Sequence, residues 1–189
     1  MQYDQHCAGC QRAQGLHSIP GAVIGLPGDW SVSHYAGGEG FLGWLALQPR
    51  FHRDRLQDLT KAELLALGPN LRALDFGLTE YWKLQFPDDL LQRVYVVYFF
   101  EAAFETPPPK EQFHLHIHVI ARSGTIGEQL KCTRGGASWV DGWQTPRLTP
   151  SGKVPERYSK ESPMWAQRVS QLMEYLRHEL PPAAPTALG

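Results

Sequence analysis

The alternation of apolar and polar positions divides the chain into predicted strands and helices. Residues 30–35 (WSVSHY) alternate as a half-buried strand does, and residues 41–49 (FLGWLALQP) predict a mostly apolar strand that ends at Pro49. Residues 93–102 (RVYVVYFFEA) carry β-branched and aromatic side chains on both faces, which predicts a central strand covered on two sides. Residues 113–122 (FHLHIHVIAR) alternate strictly and predict a further strand.

A helix is predicted to begin at Thr60. Glu63 follows three residues later, and this spacing forms a capping box in which each side chain bonds to the other residue's backbone N–H. The helical pattern then continues towards Lys83. Gly68-Pro69 interrupts it, and because proline removes a helix hydrogen bond, we expect the helix to kink or to split in two there.

A second amphipathic helix is predicted near the end of the sequence. Ser162 is the expected N-cap and Pro163 the expected first helical residue. Apolar residues then recur at helical spacing: Trp165, Val169, Leu172, Met173, Leu176 and Leu180. From about residue 181 the tail PPAAPTALG is expected to fray. Several strands with helices between and after them indicate an α+β fold.

Composition narrows the classes of partner. The chain has 189 residues, with 18 basic and 19 acidic side chains and a formal net charge of −1. This balance of charges argues against non-specific electrostatic binding to nucleic acid or to acidic membranes. We expect neither a secretion signal nor a membrane span, because no long uncharged apolar run is present. Three cysteines, an odd number, predict a reducing compartment and, by default, the cytoplasm.

The densest chemical pattern is the row formed by His114, His116 and His118. On a strand, residues two apart point to the same face and lie about 6.6 Å from each other. The row therefore spans about 13 Å, and at most two of its imidazoles are comfortable ligands of one metal ion. A row of imidazoles can instead contact a row of phosphates, since histidine titrates near about pH 6.5. The remaining alternative is that the solvent-exposed face of the strand carries three histidines by chance.

The stretch H-L-H-I-H-V-I resembles the signature of the histidine triad family of nucleotide hydrolases and transferases, in which histidines alternate with apolar residues. A second stretch, GWLALQPRFH at residues 43–52, is similar to the segment upstream of that signature in the family. Its Gly43, Pro49 and His52 fall on matching positions. The resemblance covers roughly residues 5–123.

The resemblance implies a fold and a reaction. The implied fold is α+β, with a five-stranded antiparallel sheet and helices packed on one face, in a catalytic domain at residues 1–123. Residues 124–189 are then an extension that packs on the same domain and ends in a helix. The implied reaction is hydrolysis or nucleotidyl transfer on a nucleoside phosphate derivative, of the dinucleoside polyphosphate or phosphoramidate type. The resemblance also implies a homodimer.

The middle histidine is the predicted nucleophile. His116 can reach a phosphorus centred over the strand while its neighbours contact the surrounding oxygens. One of its ring nitrogens must be unprotonated, and the other must donate to a fixed acceptor such as a backbone carbonyl. His118 is predicted to donate to a phosphate oxygen as negative charge develops, and the resemblance assigns the same two roles. His114 completes the predicted catalytic row.

Further substrate contacts are predicted where the chain matches or departs from the family pattern. The family's Gly-Gln stretch ahead of the triad is replaced by PPPKEQF. Lys110 or Gln112 is predicted to contact phosphate, and Glu111 to point away, because a carboxylate would repel it. Trp44, which replaces a histidine common in the family, and Arg122, which matches a basic residue at the end of the triad strand, are also predicted to bind substrate.

Cys7 and Cys10 form a C-x-x-C pair that predicts half of a zinc site. A redox pair is less favoured, because the strand-to-helix context of thioredoxin-type motifs is missing. Two free surface thiols are the other alternative. Family members that carry an N-terminal C-x-x-C resemble this chain and complete a structural zinc site with two histidines, which match His52 and His114. Two other histidines are rival ligands: His6 and His17.

Three functions therefore compete. Covalent nucleotidyl chemistry at His116 is favoured by the triad. The altered PPPKEQF stretch motivates the second, a catalytically silent nucleotide-binding or scaffold protein. The third is a zinc-dependent hydrolase that uses the triad as metal ligands.

Overall fold

The described residues form one antiparallel sheet flanked by helices. The computed structural model describes residues 3–35, 41–98, 114–124 and 156–183. The strands within these ranges are β1 (Ile24–Leu26), β2 (Trp30–His34), β3 (Trp44–Pro49), β4 (Leu91–Tyr98) and β5 (Ile117–Ser123). The helices are α1 (Ala8–Ala13), α2 (Lys61–Gln85) and α3 (Trp165–Glu179), with 3-10 turns at Leu56–Asp58 and Glu156–Tyr158. This five-stranded α+β arrangement confirms the predicted fold class.

The histidine strand lies inside the sheet. The strand order is β1-β2-β3-β5-β4, and every neighbouring pair is antiparallel. On β5, His118 stands opposite Ala46 of β3, and Val119 stands opposite Leu45. Strands β2 and β3 are buried along their whole length, so their apolar side chains fix the register of the ladder.

The two long helices cover one face of the sheet, as the resemblance implies. Helices α2 and α3 contact each other, and both contact β2. Trp165 of α3 packs against His34 of β2, with the two ring centroids 4.9 Å apart in an edge contact. Among the described helices, none is both long and apolar enough to cross a membrane.

Helix α2 begins as the capping box predicts. The Thr60 hydroxyl accepts from the Glu63 backbone N–H at 3.2 Å, and the Glu63 carboxylate accepts from the Thr60 N–H at 2.6 Å. Of the kink or split expected at Pro69, the split is wrong, because one helix continues to Gln85. Pro69 is exposed, so the Leu65 carbonyl that loses its N–H partner can bond to water, and the helix continues.

The predicted central position of the strand around residues 93–102 is wrong. Strand β4 pairs only with β5 among the described strands and therefore lies at the edge of that sheet. Its side chains are half-buried or exposed, and Val96 is 49 % exposed. Residue types that favour strands indicate a pleated, partly buried surface, and they do not report a strand's position in the sheet.

Three local features differ from the sequence prediction. Helix α3 begins at Trp165, two residues after the predicted start at Pro163. The Ser162 carbonyl accepts from the Trp165 N–H at 3.0 Å, so Ser162-Pro163 form a turn ahead of the helix. Helix α1 and strand β1 were not predicted, since both are shorter than the windows in which hydrophobic periodicity is readable.

A buried carboxylate joins the C-terminal segment to the end of the histidine strand. Asp89 accepts from the Tyr158 hydroxyl at 2.7 Å, from the Ser123 hydroxyl at 2.8 Å and from Arg157 Nη2 at 3.2 Å. Burial, reinforced by the bond to Asp89, raises the pKa of Tyr158, which therefore stays a donor. Since Ser123 ends β5, this cluster fixes that end of the strand.

The Tyr158→Phe substitution should lower the free energy of unfolding by about 2 kcal/mol, the range for a hydrogen bond to a charged group. The phenyl ring keeps its packing, so the loss isolates the hydroxyl. Urea denaturation measures the change. Tyr175→Phe on α3 is the matched control, because the Tyr175 hydroxyl has no hydrogen bond to another described residue. An equal loss in both variants would contradict the role given to Asp89.

Candidate functional site

Four side chains from three separate segments meet at one end of the sheet: Cys7, Cys10, His52 and His114. Cys10 Sγ lies 3.5 Å from His114 Nδ1 and 3.6 Å from His52 Nδ1. Cys7 Sγ lies 3.5 Å from His114 Nδ1, and the four ligand atoms all lie within 4.8 Å of one another. These are the four predicted ligands, and they lie close enough together to hold a metal ion.

Helix α1 presents both cysteines. Cys7 is the N-cap of this helix, and its sulfur accepts from the Cys10 backbone N–H at 3.5 Å. Between them, Gly9 has no room for a side chain, because a Cβ would lie 2.3 Å from the His114 Cβ. The Gly9 carbonyl accepts from Gln48 Nε2 at 3.0 Å. Leu47, the residue before Gln48 on β3, faces the side of the sheet that α2 and α3 cover. Because side chains alternate along a strand, Gln48 and its partner α1 lie on the opposite face.

Both histidines are held in the tautomer that can bind a metal through Nδ1. His114 Nε2 lies 2.9 Å from the Pro49 carbonyl oxygen, which can only accept a proton. His52 Nε2 lies 3.0 Å from the Asp54 carboxylate. A proton on each Nε2 leaves a lone pair on each Nδ1, the atom that faces the sulfurs. Outer partners of this kind are typical of metal-binding histidines.

The electrostatics of the cluster also suit a cation. Cys7 and Cys10 are fully buried. Burial, with a smaller contribution from the neighbouring Cys7, raises the pKa of Cys10 to about 11. Burial also lowers the pKa of His114 to about 4, so this ring is neutral at neutral pH. Buried thiols are costly to ionise alone, and a bound divalent cation reverses that preference.

The ring of His116 is oriented by the main chain. Its Nδ1 lies 2.9 Å from the His114 carbonyl oxygen. Because a carbonyl only accepts, Nδ1 carries the proton and the neutral ring has its lone pair on Nε2. This is the tautomer that the predicted nucleophile requires. His116 precedes β5, which begins at Ile117, so this bond holds the ring where strand pairing has not yet begun.

The ring of His118 is oriented by Trp44. The indole Nε1–H, which can only donate, lies 2.9 Å from His118 Nδ1. Burial, and then the nearby charge of His116, lower the pKa of His118 to about 3. The ring is therefore neutral, with its proton on Nε2. The His116 and His118 rings meet edge to face, with centroids 4.7 Å apart.

Tyr35 was missed by the sequence analysis. Its ring stacks on Trp44 and meets the edge of His118, with the centroids 5.0 Å apart in each contact. The Tyr35 N–H also donates to the Trp44 carbonyl at 2.7 Å, which extends the pairing of β2 with β3. The alternation of residues 30–35 places Tyr35 on one face, but only the pairing of β2 with β3 places that face beside the triad.

The other predicted site residues do not join these two groups. Arg122 lies four residues along β5 from His118, about 13 Å away by the strand rise. Its Nη1 donates to the Tyr95 hydroxyl at 2.6 Å. Three predicted positions lie outside the described residues: Lys110, Glu111 and Gln112. The rival ligands are not part of the metal-binding group: His6 and His17.

The chain matches no protein-family model and no curated protein. One solved structure similar to it is described as a hypothetical protein from Leishmania major. The two chains share 16% sequence identity, and the match covers 61% of this chain and 72% of the other with a TM-score of 0.42. At this TM-score the likeness is too weak to support a conclusion about fold or function.

Proposed function

We propose that the protein hydrolyses or transfers the nucleotidyl group of a nucleoside phosphate derivative through a covalent intermediate on His116. The observation that carries this proposal is the hydrogen bond from the Nδ1–H of His116 to the His114 carbonyl oxygen. In the neutral ring this bond leaves the lone pair on Nε2, which is the condition for attack on phosphorus. His116 is also only partly buried, whereas His114 and His118 are buried.

The reaction consists of two displacements. In the first, His116 Nε2 bonds to phosphorus as the bond to the leaving group breaks, and the leaving group takes the electron pair. In the second, water or another phosphate attacks the same phosphorus, and the electron pair of the P–N bond returns to Nε2. An attacking water loses its proton to the solvent. Two easier steps replace one difficult step. The Nε2–H of His118 can donate to a phosphoryl oxygen as negative charge develops there.

The Trp44→Phe substitution should lower kcat about tenfold, the effect of losing a hydrogen bond of about 1.4 kcal/mol in the transition state. Phenylalanine preserves the stacking on Tyr35 but removes the N–H that donates to His118 Nδ1. Nitrogen NMR of His118 should show the proton spread over both ring atoms. Trp165→Phe, on the opposite face of the sheet, is the matched control. Unchanged kcat and an unchanged His118 tautomer would contradict this role of Trp44.

The described geometry favours covalent catalysis over a zinc-dependent hydrolase built on the triad. The Nδ1 atoms of the three histidines point to different partners: the cysteine sulfurs, a backbone carbonyl and the Trp44 indole. Of the three triad histidines, only His114 belongs to the metal-binding group found in the described part of the chain. A catalytically silent protein would need no fixed Nε2 lone pair at the middle position.

We further propose that the metal is zinc and that its role is structural. Tetrahedral zinc, with bonds of about 2.3 Å to sulfur and about 2.0 Å to nitrogen, separates these atoms by about 3.5 Å. The sulfur-to-nitrogen distances of 3.5, 3.5 and 3.6 Å match this value. Two cysteines and two histidines complete four-coordination, which leaves no position for a catalytic water. Free thiol ligands suit a reducing compartment such as the cytoplasm.

Turnover of an adenosine phosphoramidate, measured with and without a brief exposure to a chelator, tests the proposed function. We expect turnover to continue after exposure to the chelator for as long as the protein stays folded. Turnover abolished at once by the chelator, before any change in circular dichroism, would favour a metal-dependent hydrolase. Tight nucleotide binding with no turnover would favour the silent protein.

A further inference from the structure

Two arginines stand directly opposite each other on the sheet face that carries the triad. Arg122 of β5 pairs with Arg93 of β4 in the strand register. Because side chains alternate along a strand, Arg122 points to the same face as His118. Between them on that face lies Ile120, which is apolar and 3% exposed. Along β5, Arg122 is therefore the first permanent positive charge beyond the histidines.

This arrangement is unfavourable without an anion. Like charges directly opposite each other on neighbouring strands destabilise a sheet. In the described part of the chain, neither Arg93 nor Arg122 forms an ion pair with a carboxylate. The Arg122 Nε is buried and has no hydrogen-bond acceptor among the described residues. A bound anion that contacts the exposed Arg93 and the accessible part of the Arg122 guanidinium would relieve the repulsion.

Tyr95 contacts the guanidinium of Arg122 from the neighbouring strand. Tyr95 pairs with Ile120, and its hydroxyl accepts from Arg122 Nη1 at 2.6 Å. The guanidinium therefore lies beside the Tyr95 ring, with Cζ 5.8 Å from the ring centroid. The Cα atoms of His118 and Arg122 are about 13 Å apart along the strand. A substrate that contacts both ends must be extended and negatively charged, as a chain of phosphates is.

We propose that Arg122, Arg93 and Tyr95 form a subsite for the phosphate-rich leaving group of a nucleoside polyphosphate. This inference rests on the proposed function and adds a subsite that selects between its two types of leaving group. When His116 Nε2 bonds to the α-phosphorus, the bond from that phosphorus to the bridging oxygen breaks. The leaving phosphate takes the electron pair and gains negative charge. Guanidinium groups bind phosphate oxygens through paired hydrogen bonds, so the subsite favours this leaving group over a neutral amine.

Turnover of two substrates tests the subsite. Diadenosine triphosphate loses a phosphate-rich leaving group, and adenosine 5′-phosphoramidate loses ammonia. The kcat/KM for diadenosine triphosphate, divided by that for the phosphoramidate, should fall about tenfold to a hundredfold in Arg122→Gln and in Arg93→Gln. Arg72→Gln, at an exposed arginine of α2, should keep the wild-type ratio. A wild-type ratio in both subsite variants, each with a native melting temperature, would overturn the inference.

A binding measurement separates the subsite from the proposed reaction. Calorimetry compares AMP with a methylene-bridged analogue of ADP, whose α–β linkage cannot be cleaved. The wild type should bind the analogue about tenfold more tightly than AMP, and Arg93→Gln, at an exposed position, should reduce that advantage. Equal wild-type affinities would overturn the subsite whatever the turnover. A retained advantage without turnover of either substrate would support the subsite and overturn the proposed reaction.

Discussion

Replacement of His116 by glycine should lower kcat by several orders of magnitude and still leave nucleotide binding measurable. The proposed intermediate is a bond between Nε2 of this ring and phosphorus, and the other two triad rings carry their proton on Nε2 instead. The variant lacks the nucleophile but keeps His118 and its indole partner. Steady-state kinetics should therefore show a loss in kcat, with KM changed much less.

Two observations sharpen this experiment. Free imidazole added to the His116→Gly protein should restore part of the turnover, because the small residue leaves space where the ring was. Mass spectrometry of the wild type should find a nucleotidyl group on the peptide that contains His116. The matched control is His17→Gly, at an exposed histidine away from the triad. Retained turnover in His116→Gly would falsify the covalent mechanism, and a raised KM with normal kcat would reduce His116 to a binding residue.

The Cys7→Ser, Cys10→Ser double variant should be destabilised by about 4 kcal/mol or more, because metal binding contributes directly to folding free energy. For a chain of this size the melting temperature should fall by roughly 10 °C. Calorimetry measures the change, and elemental analysis should find close to one zinc ion per wild-type chain and almost none in the variant. The wild type treated with a chelator should unfold at the temperature of the variant.

Cys132→Ser is the matched control for this experiment, since Cys132 is the cysteine that lies outside the C-x-x-C pair. It should leave both the zinc content and the melting temperature unchanged. A wild-type protein that contains no metal and is equally stable with and without chelator would contradict the proposed zinc site. In that case His52 would be a residue that positions His114 through the shared contact with Cys10.

The two cysteines of the candidate site could be predicted from their spacing, and the two histidine ligands from the resemblance to the histidine triad family. Few functions use three alternating histidines, and a C-x-x-C pair needs ligands from elsewhere in the chain. The four residues nominated as metal ligands do lie together. Their outer partners could not be predicted, because Pro49 contributes a backbone carbonyl, which no residue type reveals. The role of Trp44 on His118 likewise depends on cross-strand geometry.

Local patterns predicted the elements of the fold better than their arrangement. The capping box at Thr60 and the apolar strand ending at Pro49 are both confirmed, since each depends on neighbouring residues only. The edge position of β4 could not be predicted, because strand order depends on pairing between distant segments. The unbroken course of α2 through Pro69 depends on exposure to water, which the helical pattern alone did not specify.

His114 is held at both its side chain and its main chain. Its Nε2 bonds to Pro49, its carbonyl accepts from His116, and the next N–H, that of Leu115, donates to the Arg53 carbonyl at 2.7 Å. Turnover should therefore be sensitive to any substitution that moves His114, including one at a residue that does not contact the phosphate. A mutagenesis screen for lost turnover should recover changes at Gly9, where any side chain would displace His114. By its effect on turnover, Gly9 would be classified as an active-site residue, although it would not contact the nucleotide.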